Sequence, residues 1–167
     1  WSTRFVFRRL GHHPDIETFV EIKRDLSKVT GANISVRLSD EFMNAVENKE
    51  SFELRYPVEL SEERVVSKMV DAESLWEKII SSAHASAEPG LLFWDNVLKY
   101  TPAQAYSEDG FHTISTNPCS EITLSAYDSC RLLLLNLTSF VDNPFSENSS
   151  FDSEKFSDYA SKAQRLM

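Results

Sequence analysis

The chain has 167 residues, a formal net charge of -9 and 41% hydrophobic residues, values that are typical of a folded domain with a sizeable core. The negative charge argues against nucleic acid or an anionic membrane as a partner, although small phosphorylated ligands need only a few local donors. The longest apolar run, residues 132–135, is too short to cross a bilayer. With two cysteines and no secretory signal, we expect a cytoplasmic protein without a disulfide scaffold.

Helix and strand signals alternate along the chain, which indicates an α/β fold. No element is predicted for residues 1–10. In the first half, the predicted elements are a helix at 13–24, a polar loop at 25–33, a strand at 33–38, a helix capped by Ser39, an edge strand at 52–58, and at 64–70 either its partner strand or a helical turn. In the second half, they are a helix at 72–87, a buried parallel strand at 91–94, a polar connection at 95–109, a turn at 125–129, a long apolar strand at 131–141, a surface loop at 144–150 and a final helix at 156–167.

Residues 117–121 read Asn-Pro-Cys-Ser-Glu and form the strongest candidate reaction centre. Because Pro118 restricts the residue before it to extended conformations, we expect a loop or strand end in which side chains alternate. Asn117, Cys119 and Glu121 would then project to one side. A thiol, a carboxylate base and an orienting amide suit chemistry on a hydroxyl-bearing substrate. The alternative is that Cys119 is a buried structural thiol.

The second cysteine, Cys130, lies eleven residues after Cys119. A fully extended connection would carry it more than about 30 Å away, whereas a chain reversal at residues 125–129 would bring it back beside Cys119. The two thiols could then share a site without being bonded to each other. The alternative is that Cys130 fills the core.

The histidines match no zinc pattern with the cysteines, so we expect no metal site in the chain. His12 and His13 precede Pro14, and we interpret them as a cap and a surface residue. His84 falls on the polar side of the helix predicted at residues 72–87.

Several of these motifs together resemble the catalytic subunits of ribonucleotide reductases. The resemblance covers about residues 12–145 and is carried, in order, by residues 13–17 (HPDIE), 25–30 (DLSKVT), 33–36 (NISV), 88–93 (EPGLLF), 117–121 (NPCSE), 128–130 (DSC) and 136–137 (NL). It implies that residues 1–167 are a single fragment of the barrel domain. The implied fold is α/β, part of a ten-stranded α/β barrel with the catalytic cysteine on an internal finger loop.

The resemblance implies an enzyme, a ribonucleoside-diphosphate reductase, that reduces ribonucleotides to 2′-deoxyribonucleotides for DNA precursor synthesis; a triphosphate substrate stays open. Cys119 would form the transient thiyl radical that removes the ribose 3′ hydrogen, and Glu121 would accept the 3′-hydroxyl proton. Asn117 would hydrogen-bond the ribose hydroxyls. Cys130 would be one half of the dithiol that reduces the substrate as the 2′-hydroxyl leaves as water. In the family, the other half and the substrate-phosphate loop lie outside the matching region, so we expect the chain alone to be inactive.

The spacing of the cysteines distinguishes classes within the family. Asn-Pro-Cys followed closely by Ser-Cys is most similar to the class II enzymes, whose cofactor is adenosylcobalamin. The first alternative is a class I large subunit, which takes its radical from a separate metal-containing subunit. The second alternative is a non-catalytic nucleotide-binding or assembly module, which requires cysteines that are buried, mutually distant and inert.

The polar loop before the strand at residues 33–38 resembles the specificity loop that links a bound deoxynucleotide effector to the substrate base. The residues assigned to this loop are Ser27, Lys28, Thr30 and Gly31. The partners implied by the resemblance are a ribonucleotide substrate, a deoxynucleotide or ATP effector, a thioredoxin-type or other dithiol reductant, and a second copy of the subunit in a homodimer.

Overall fold

A computed structural model describes the backbone of residues 5–58 and 63–167 and the side chains of residues 11–58 and 63–167. The part of the N-terminal segment at residues 1–4, for which no element is predicted, lies outside this description. The chain divides into two compact units, Trp1–Asp128 and Ser129–Met167. No helix in the described ranges is long and apolar enough to span a membrane.

The first unit alternates strands and helices, which confirms the predicted α/β class. Its elements are, in chain order, β1 (Phe5–Leu10), α1 (Ile16–Glu21), β2 (Ala32–Leu38), α2 (Asp40–Glu47), β3 (Ser51–Tyr56), β4 (Val66–Asp71), α3 (Ala72–Ser86), β5 (Gly90–Phe93), α4 (Trp94–Tyr100), β6 (Thr113–Thr116) and β7 (Thr123–Ser125). Short 3₁₀ segments follow α1 at Ile22–Arg24 and α4 at Pro102–Asp109.

Strand β2 lies between β1 and β5 in a parallel sheet. Parallel strands need a crossover connection, which α1 provides before β2 and the segment from α2 to α3 provides before β5. Along β2, the side chains of Ile34, Val36 and Leu38 share one face and are buried. The polar side chains between them alternate to the opposite face because the side-chain period of a strand is two.

The core of the first unit lies between the apolar face of β2 and helices α1, α2 and α3. Its buried side chains come from each of these elements and from β3, and include Ile16, Val20, Val36, Leu38, Phe42, Phe52, Leu54, Leu75 and Ile79. Phe42 and Phe52 meet edge to face with their ring centroids 4.9 Å apart. The core covers the apolar face of β2. The opposite, polar face of β2 contacts the segment that runs from β6 to β7.

Side-chain caps fix two of the helix starts. The Ser39 hydroxyl oxygen accepts a hydrogen bond from the Phe42 amide at 3.1 Å, which confirms the predicted cap of α2. Asp71 caps α3 in the same way through the Ser74 amide, at 2.8 Å. Ala87 has a left-handed backbone with φ 60° and ends α3 where the sequence predicts.

The structure resolves one alternative and corrects two predictions in the first unit. Strands β3 and β4 pair antiparallel, so the segment after residue 63 is a partner strand and not a helical turn. The polar connection predicted at residues 95–109 is wrong, because α4 and the 3₁₀ segment Pro102–Asp109 occupy it. Strand β1 was not predicted; it is defined by pairing with β2, a distant contact that local sequence does not encode.

The second unit is built around an aromatic cluster. Its elements are β8 (Val141–Asp142) and β9 (Ser150–Phe151), which pair antiparallel, and α5 (Ser153–Leu166). Phe140 is buried, with ring centroids 5.4 to 6.5 Å from those of Phe151, Phe156 and Tyr159. Helix α5 confirms the final helix that the sequence predicts.

The long apolar strand predicted at residues 131–141 is wrong. The Asn136 side-chain oxygen accepts a hydrogen bond from the Thr138 amide at 3.2 Å and starts a 3₁₀ turn at Leu137–Phe140. The structure describes all of residues 131–141, and among them only Val141 belongs to a strand. A run of leucines has the composition of a buried strand, but a strand also needs a partner for its backbone hydrogen bonds.

Gly90, at the start of β5, lies against Ser35 of the neighbouring strand. A Cβ atom at position 90 would be 2.9 Å from the Ser35 hydroxyl oxygen, whereas the next nearest atoms would be 3.7 Å or more away. We predict that Gly90→Ala lowers the free energy of unfolding by about 1 to 2 kcal/mol. In a Ser35→Ala background, the cost should fall below about 0.5 kcal/mol. Hydrogen exchange of β2 and β5 amides in the full-length protein measures both values, and equal costs in the two backgrounds would contradict this overlap.

Candidate active site

The candidate reaction centre forms the tip of a β-hairpin. Strands β6 and β7 pair antiparallel, with a register shift between Thr113 and Ser115. Such a bulge bends a strand and re-aims the residues that follow it. Beyond β6, the Asn117 amide donates to the Ile122 carbonyl oxygen at 3.0 Å, so the four residues between them close the hairpin.

The tip of the hairpin is a β-turn. The Ser120 amide donates to the Asn117 carbonyl oxygen at 3.1 Å, with Pro118 second and Cys119 third in the turn. Proline is favoured at the second position because its ring presets φ. Ser120 then adopts a left-handed backbone with φ 73°. Cys119 therefore lies at the apex, where it is an exposed free thiol.

Asn117 shapes this turn with its side chain as well as its backbone. Its Oδ1 accepts a hydrogen bond from the Ile122 amide at 3.1 Å, and only 5% of the residue is exposed. The prediction that Asn117, Cys119 and Glu121 share one side is wrong for Asn117, because the chain reverses here and does not stay extended. Cys119 and Glu121 are both exposed, whereas the Asn117 amide is held within the turn.

The hairpin is anchored to the rest of the first unit along both strands. The Thr101 and Thr123 hydroxyls are 2.7 Å apart, which ties β7 to the start of the 3₁₀ segment. From the polar face of β2, Asn33 and Arg37 contact the hairpin; the bonds are Asn33 Nδ2 to the Pro118 carbonyl oxygen at 3.3 Å and Arg37 Nη2 to the Ile114 carbonyl oxygen. The sequence predicted that Asn33 and Arg37 are polar positions of a strand and assigned neither of them a role at the site.

Cys130 belongs to the second unit and is also an exposed free thiol. The turn predicted after β7 is present: the Asp128 amide donates to the Ser125 carbonyl oxygen at 3.4 Å, and Tyr127 has φ 61°. The return of Cys130 to the side of Cys119 stays a prediction.

The predicted effector loop borders a shallow cavity of about 210 Å³. The cavity is lined by Lys23, Leu26, Lys28, Val29, Thr30, Ser86 and Glu88. Hydrogen bonds from Ser27 lower the pKa of Asp25, and the Lys28 ammonium lies 3.6 Å from that carboxylate. Lys28 and Thr30 both line this cavity. Gly31, the next residue along the chain, is exposed.

A buried charged cluster at the end of β3 was not predicted. Arg55 is 4% exposed, and its guanidinium donates to both Glu41 carboxylate oxygens at 3.1 and 3.0 Å. The interpretation of His12 as a surface or capping residue is wrong: the ring is buried 3.0 Å from the Ser39 hydroxyl. His13 lies in the turn before α1, where its Nδ1 accepts a hydrogen bond from the amide of Asp15, the N-cap residue of the helix, at 3.1 Å.

His12 makes the stability of this region depend on pH. Burial and the Arg55 cation lower the pKa of His12 below its ordinary 6.5 and outweigh Glu41 and Asp95, which act in the opposite direction. Below pH 6.5 the unfolded chain binds a proton that the folded chain does not, so stability is complete above 6.5 and is lost as the pH falls. We predict that His12→Gln removes most of this slope and that His84→Gln, exposed on α3, retains it. Hydrogen exchange of β3 amides, corrected for intrinsic rates, measures the slope; an unchanged slope in His12→Gln would contradict the assignment.

A family model described as the ribonucleotide reductase barrel domain matches residues 11–167. The chain belongs to this family. The match begins just after the segment for which the sequence predicts no element.

Curated relatives agree with this assignment. The chain is 34% identical over 131 residues to a vitamin B12-dependent ribonucleoside-diphosphate reductase of Thermoplasma acidophilum, covering 78% of the chain and 16% of the relative. It is 34% identical over 167 residues to a vitamin B12-dependent ribonucleotide reductase of Streptomyces clavuligerus, covering 86% of the chain and 16% of the relative. It is 36% identical over 126 residues to a vitamin B12-dependent ribonucleoside-diphosphate reductase of Mycobacterium tuberculosis, covering 75% of the chain and 17% of the relative. The chain spans about one sixth of the length of these relatives.

Proposed function

We propose that this chain is the catalytic-cysteine part of an adenosylcobalamin-dependent ribonucleotide reductase that makes 2′-deoxyribonucleotides in the cytoplasm. The observation that carries the proposal is the exposed Cys119 thiol at the apex of a turn that is anchored to a parallel sheet. Membership of the reductase family and relatives that are named vitamin B12-dependent support it.

The exposed thiol fits the proposed cofactor. Adenosylcobalamin, when bound, supplies an organic radical by homolysis of its cobalt–carbon bond. Hydrogen-atom transfer to such a bulky group requires a sulfur atom that projects beyond the surrounding backbone, and Cys119 is exposed at a hairpin apex. The same exposure would let the sulfur reach a ribose ring.

Each residue of the site has one proposed task. The Cys119 sulfur loses a hydrogen atom, takes the 3′ hydrogen of the ribose, and returns a hydrogen atom to C3′ at the end of the turnover. Glu121, an exposed carboxylate beside the apex, accepts the 3′-hydroxyl proton. Cys130 and a cysteine outside this chain give two electrons and become a disulfide, while the 2′-hydroxyl takes a proton and leaves as water. C2′ gains a hydrogen in its place.

Asn117 has a structural task in the turn and a proposed task toward the substrate. Its side-chain oxygen fixes the Ile122 amide and so sets the shape of the Cys119 turn. The proposed hydrogen bond from Asn117 to the ribose hydroxyls adds to this role. Both tasks predict that the residue is needed for turnover, because misplacement of a reacting group by about 1 Å can cost 100-fold in rate.

The complete protein would surround this chain with the rest of a ten-stranded barrel, in which the hairpin is the internal finger loop. A deoxynucleotide or ATP effector would bind beside Lys28, Ser27, Thr30 and Gly31, where the cavity carries lysine side chains. A thioredoxin-type or other dithiol would re-reduce the disulfide, and two subunits would form a homodimer.

The module alternative requires cysteines that are buried, mutually distant and inert, and both cysteines are exposed. It would be favoured by Asn117, Cys119 and Glu121 side chains that point to different sides; the Asn117 side chain is held within the turn, whereas Cys119 and Glu121 are exposed. The exposed thiols favour the enzyme.

One assay separates the classes. The full-length protein, mixed with a ribonucleoside diphosphate or triphosphate and a dithiol, should form the deoxynucleotide when adenosylcobalamin is added and no second subunit is present. Product that appears only with a metal-containing radical subunit would favour class I. No product under either condition would favour the non-catalytic module.

A further inference from the structure

The hairpin that carries Cys119 contains a β-bulge at Ile114. Adjacent residues of β7, Leu124 and Ser125, pair with the β6 residues on either side of Ile114, which is therefore the extra residue of the bulge. A bulge bends its strand and leaves the backbone of the extra residue outside the ladder. The direction in which β6 continues toward Cys119 therefore depends on what holds this residue.

Arg37 of β2 contacts the backbone of the bulge. Its Nη2 donates a hydrogen bond to the Ile114 carbonyl oxygen. A carbonyl that a bulge removes from the ladder needs another partner, and a charged donor makes a stronger hydrogen bond than a neutral one. The bond therefore fixes the hairpin at the point where β6 bends.

The Arg37 side chain extends from a well-supported position. In the register of the parallel sheet, Arg37 has a paired neighbour on both β1 and β5. Its guanidinium carbon lies 3.9 Å from the Trp94 ring centroid, in a cation–π contact. Trp94 begins α4, and the next residue, Asp95, accepts a hydrogen bond at 2.7 Å from the Asp40 amide at the start of α2. The ring that supports the guanidinium is thus tied to the helical layer.

We propose that Arg37 is a positioning residue for the Cys119 thiol, because it fixes the bulge that directs the hairpin apex toward the substrate, and that Trp94 acts through Arg37. The inference rests on the proposed function, because it takes Cys119 as the reacting group. Four residues separate Ile114 from Cys119. The turn beyond the bulge is closed by hydrogen bonds of its own around Asn117, so a rotation at the bulge moves the turn as a unit.

The test uses the full-length protein with adenosylcobalamin, a ribonucleoside diphosphate or triphosphate, and a dithiol. Arg37→Met keeps an apolar stem and removes every donor. We expect kcat to fall by about 10- to 100-fold, because the reacting sulfur is displaced. The substrate KM should stay within about twofold. Arg37→Lys keeps a cation and a donor without the planar guanidinium, and it should recover part of kcat.

The matched control is Arg64→Met, the same change at an exposed arginine just before β4, which should keep both kcat and KM within about twofold of the wild type. A KM that rises in Arg37→Met while kcat is unchanged would overturn the proposal, because it would indicate a contact to the substrate. Absence of any recovery in Arg37→Lys would also overturn it.

Trp94→Leu tests whether the ring acts through the guanidinium. Removing the ring should lower kcat by about threefold to tenfold. The double variant with Arg37→Met should be no slower than Arg37→Met alone, whereas losses that multiply would overturn the coupling that we propose. Wild-type kcat in either single variant would overturn the proposal, so the test stands even if one of the two does not fold.

A second readout does not depend on turnover. In Arg37→Met, hydrogen exchange of the full-length protein should be faster at the amides of Asn117, Ser120 and Ile122, which are hydrogen-bonded within the hairpin, and unchanged at the amides of β2 and β5. Faster exchange throughout the sheet would indicate a general structural role and would overturn the inference. Failure of the proposed function is a separate result, namely that the wild type forms no deoxynucleotide under any condition while the hairpin amides still respond to Arg37→Met.

Discussion

Replacing Cys119 with serine in the full-length protein is expected to reduce deoxynucleotide formation by at least about 1,000-fold, to below detection in a standard assay. The substitution keeps the size and polarity of the exposed side chain at the hairpin apex. It removes the S–H bond, which is weak enough to exchange a hydrogen atom with carbon, and leaves an O–H bond, which is too strong. Nucleotide binding should be unchanged, because the serine hydroxyl disturbs neither the Asn117 nor the Pro118 contact.

Cys130→Ser provides the matched comparison, since it is the same chemical change at another exposed thiol. It should also stop turnover with a dithiol, but by removing the reductant, so that radical formation at Cys119 persists. Retention of steady-state deoxynucleotide formation in Cys119→Ser would contradict the assignment. Loss of radical chemistry in Cys130→Ser would contradict the division of roles between the two cysteines.

The largest expected effect on stability comes from Glu41→Gln, which should lower the local free energy of unfolding by about 3 kcal/mol. Arg55 is 4% exposed and stays charged, and without the Glu41 carboxylate its nearest anion is Glu53 at 3.7 Å. The cost arises from leaving a buried cation without its bidentate partner. It is moderated because the Glu41 side chain is 53% exposed, which lets water reach this edge of the cluster.

The control for this prediction is Glu47→Gln, a charge removal on the exposed side of the same helix. Its effect should lie within about 0.5 kcal/mol of zero. Hydrogen exchange of the α2 and β3 amides in the full-length protein measures both variants. Equal protection in the wild type and Glu41→Gln would show that the buried guanidinium does not depend on this partner.

Local signals in the sequence were sufficient for much of the first unit. Ser39 caps α2 because its hydroxyl needs only an amide three residues ahead. The alternation of residues 33–38 predicted a strand with one apolar face, and β2 has that form. The candidate site residues were chosen by residue type and spacing, and the family resemblance supplied their roles. The order of amide, thiol and carboxylate at residues 117–121 is the same whatever the backbone does.

Features that depend on distant partners could not be predicted. The prediction of an extended backbone at residues 117–121 is wrong, because the chain turns there and the Ile122 amide donates a hydrogen bond to the Asn117 side chain. The burial of Arg55 requires Glu41, which lies on a different element. Asn33 looked like the polar position of a strand, and its contact with Pro118 became visible only with the hairpin laid against β2.

The most direct test of the proposed chemistry is detection of a sulfur-centred radical on Cys119. The full-length protein, made with cysteine that carries deuterium at Cβ, would be freeze-quenched with adenosylcobalamin and a ribonucleotide and studied by electron paramagnetic resonance. We predict a radical signal that narrows with deuterated cysteine and is absent from Cys119→Ser. A signal whose width is the same with and without deuterium, or a signal that is still present in Cys119→Ser, would contradict the assignment of the radical to Cys119.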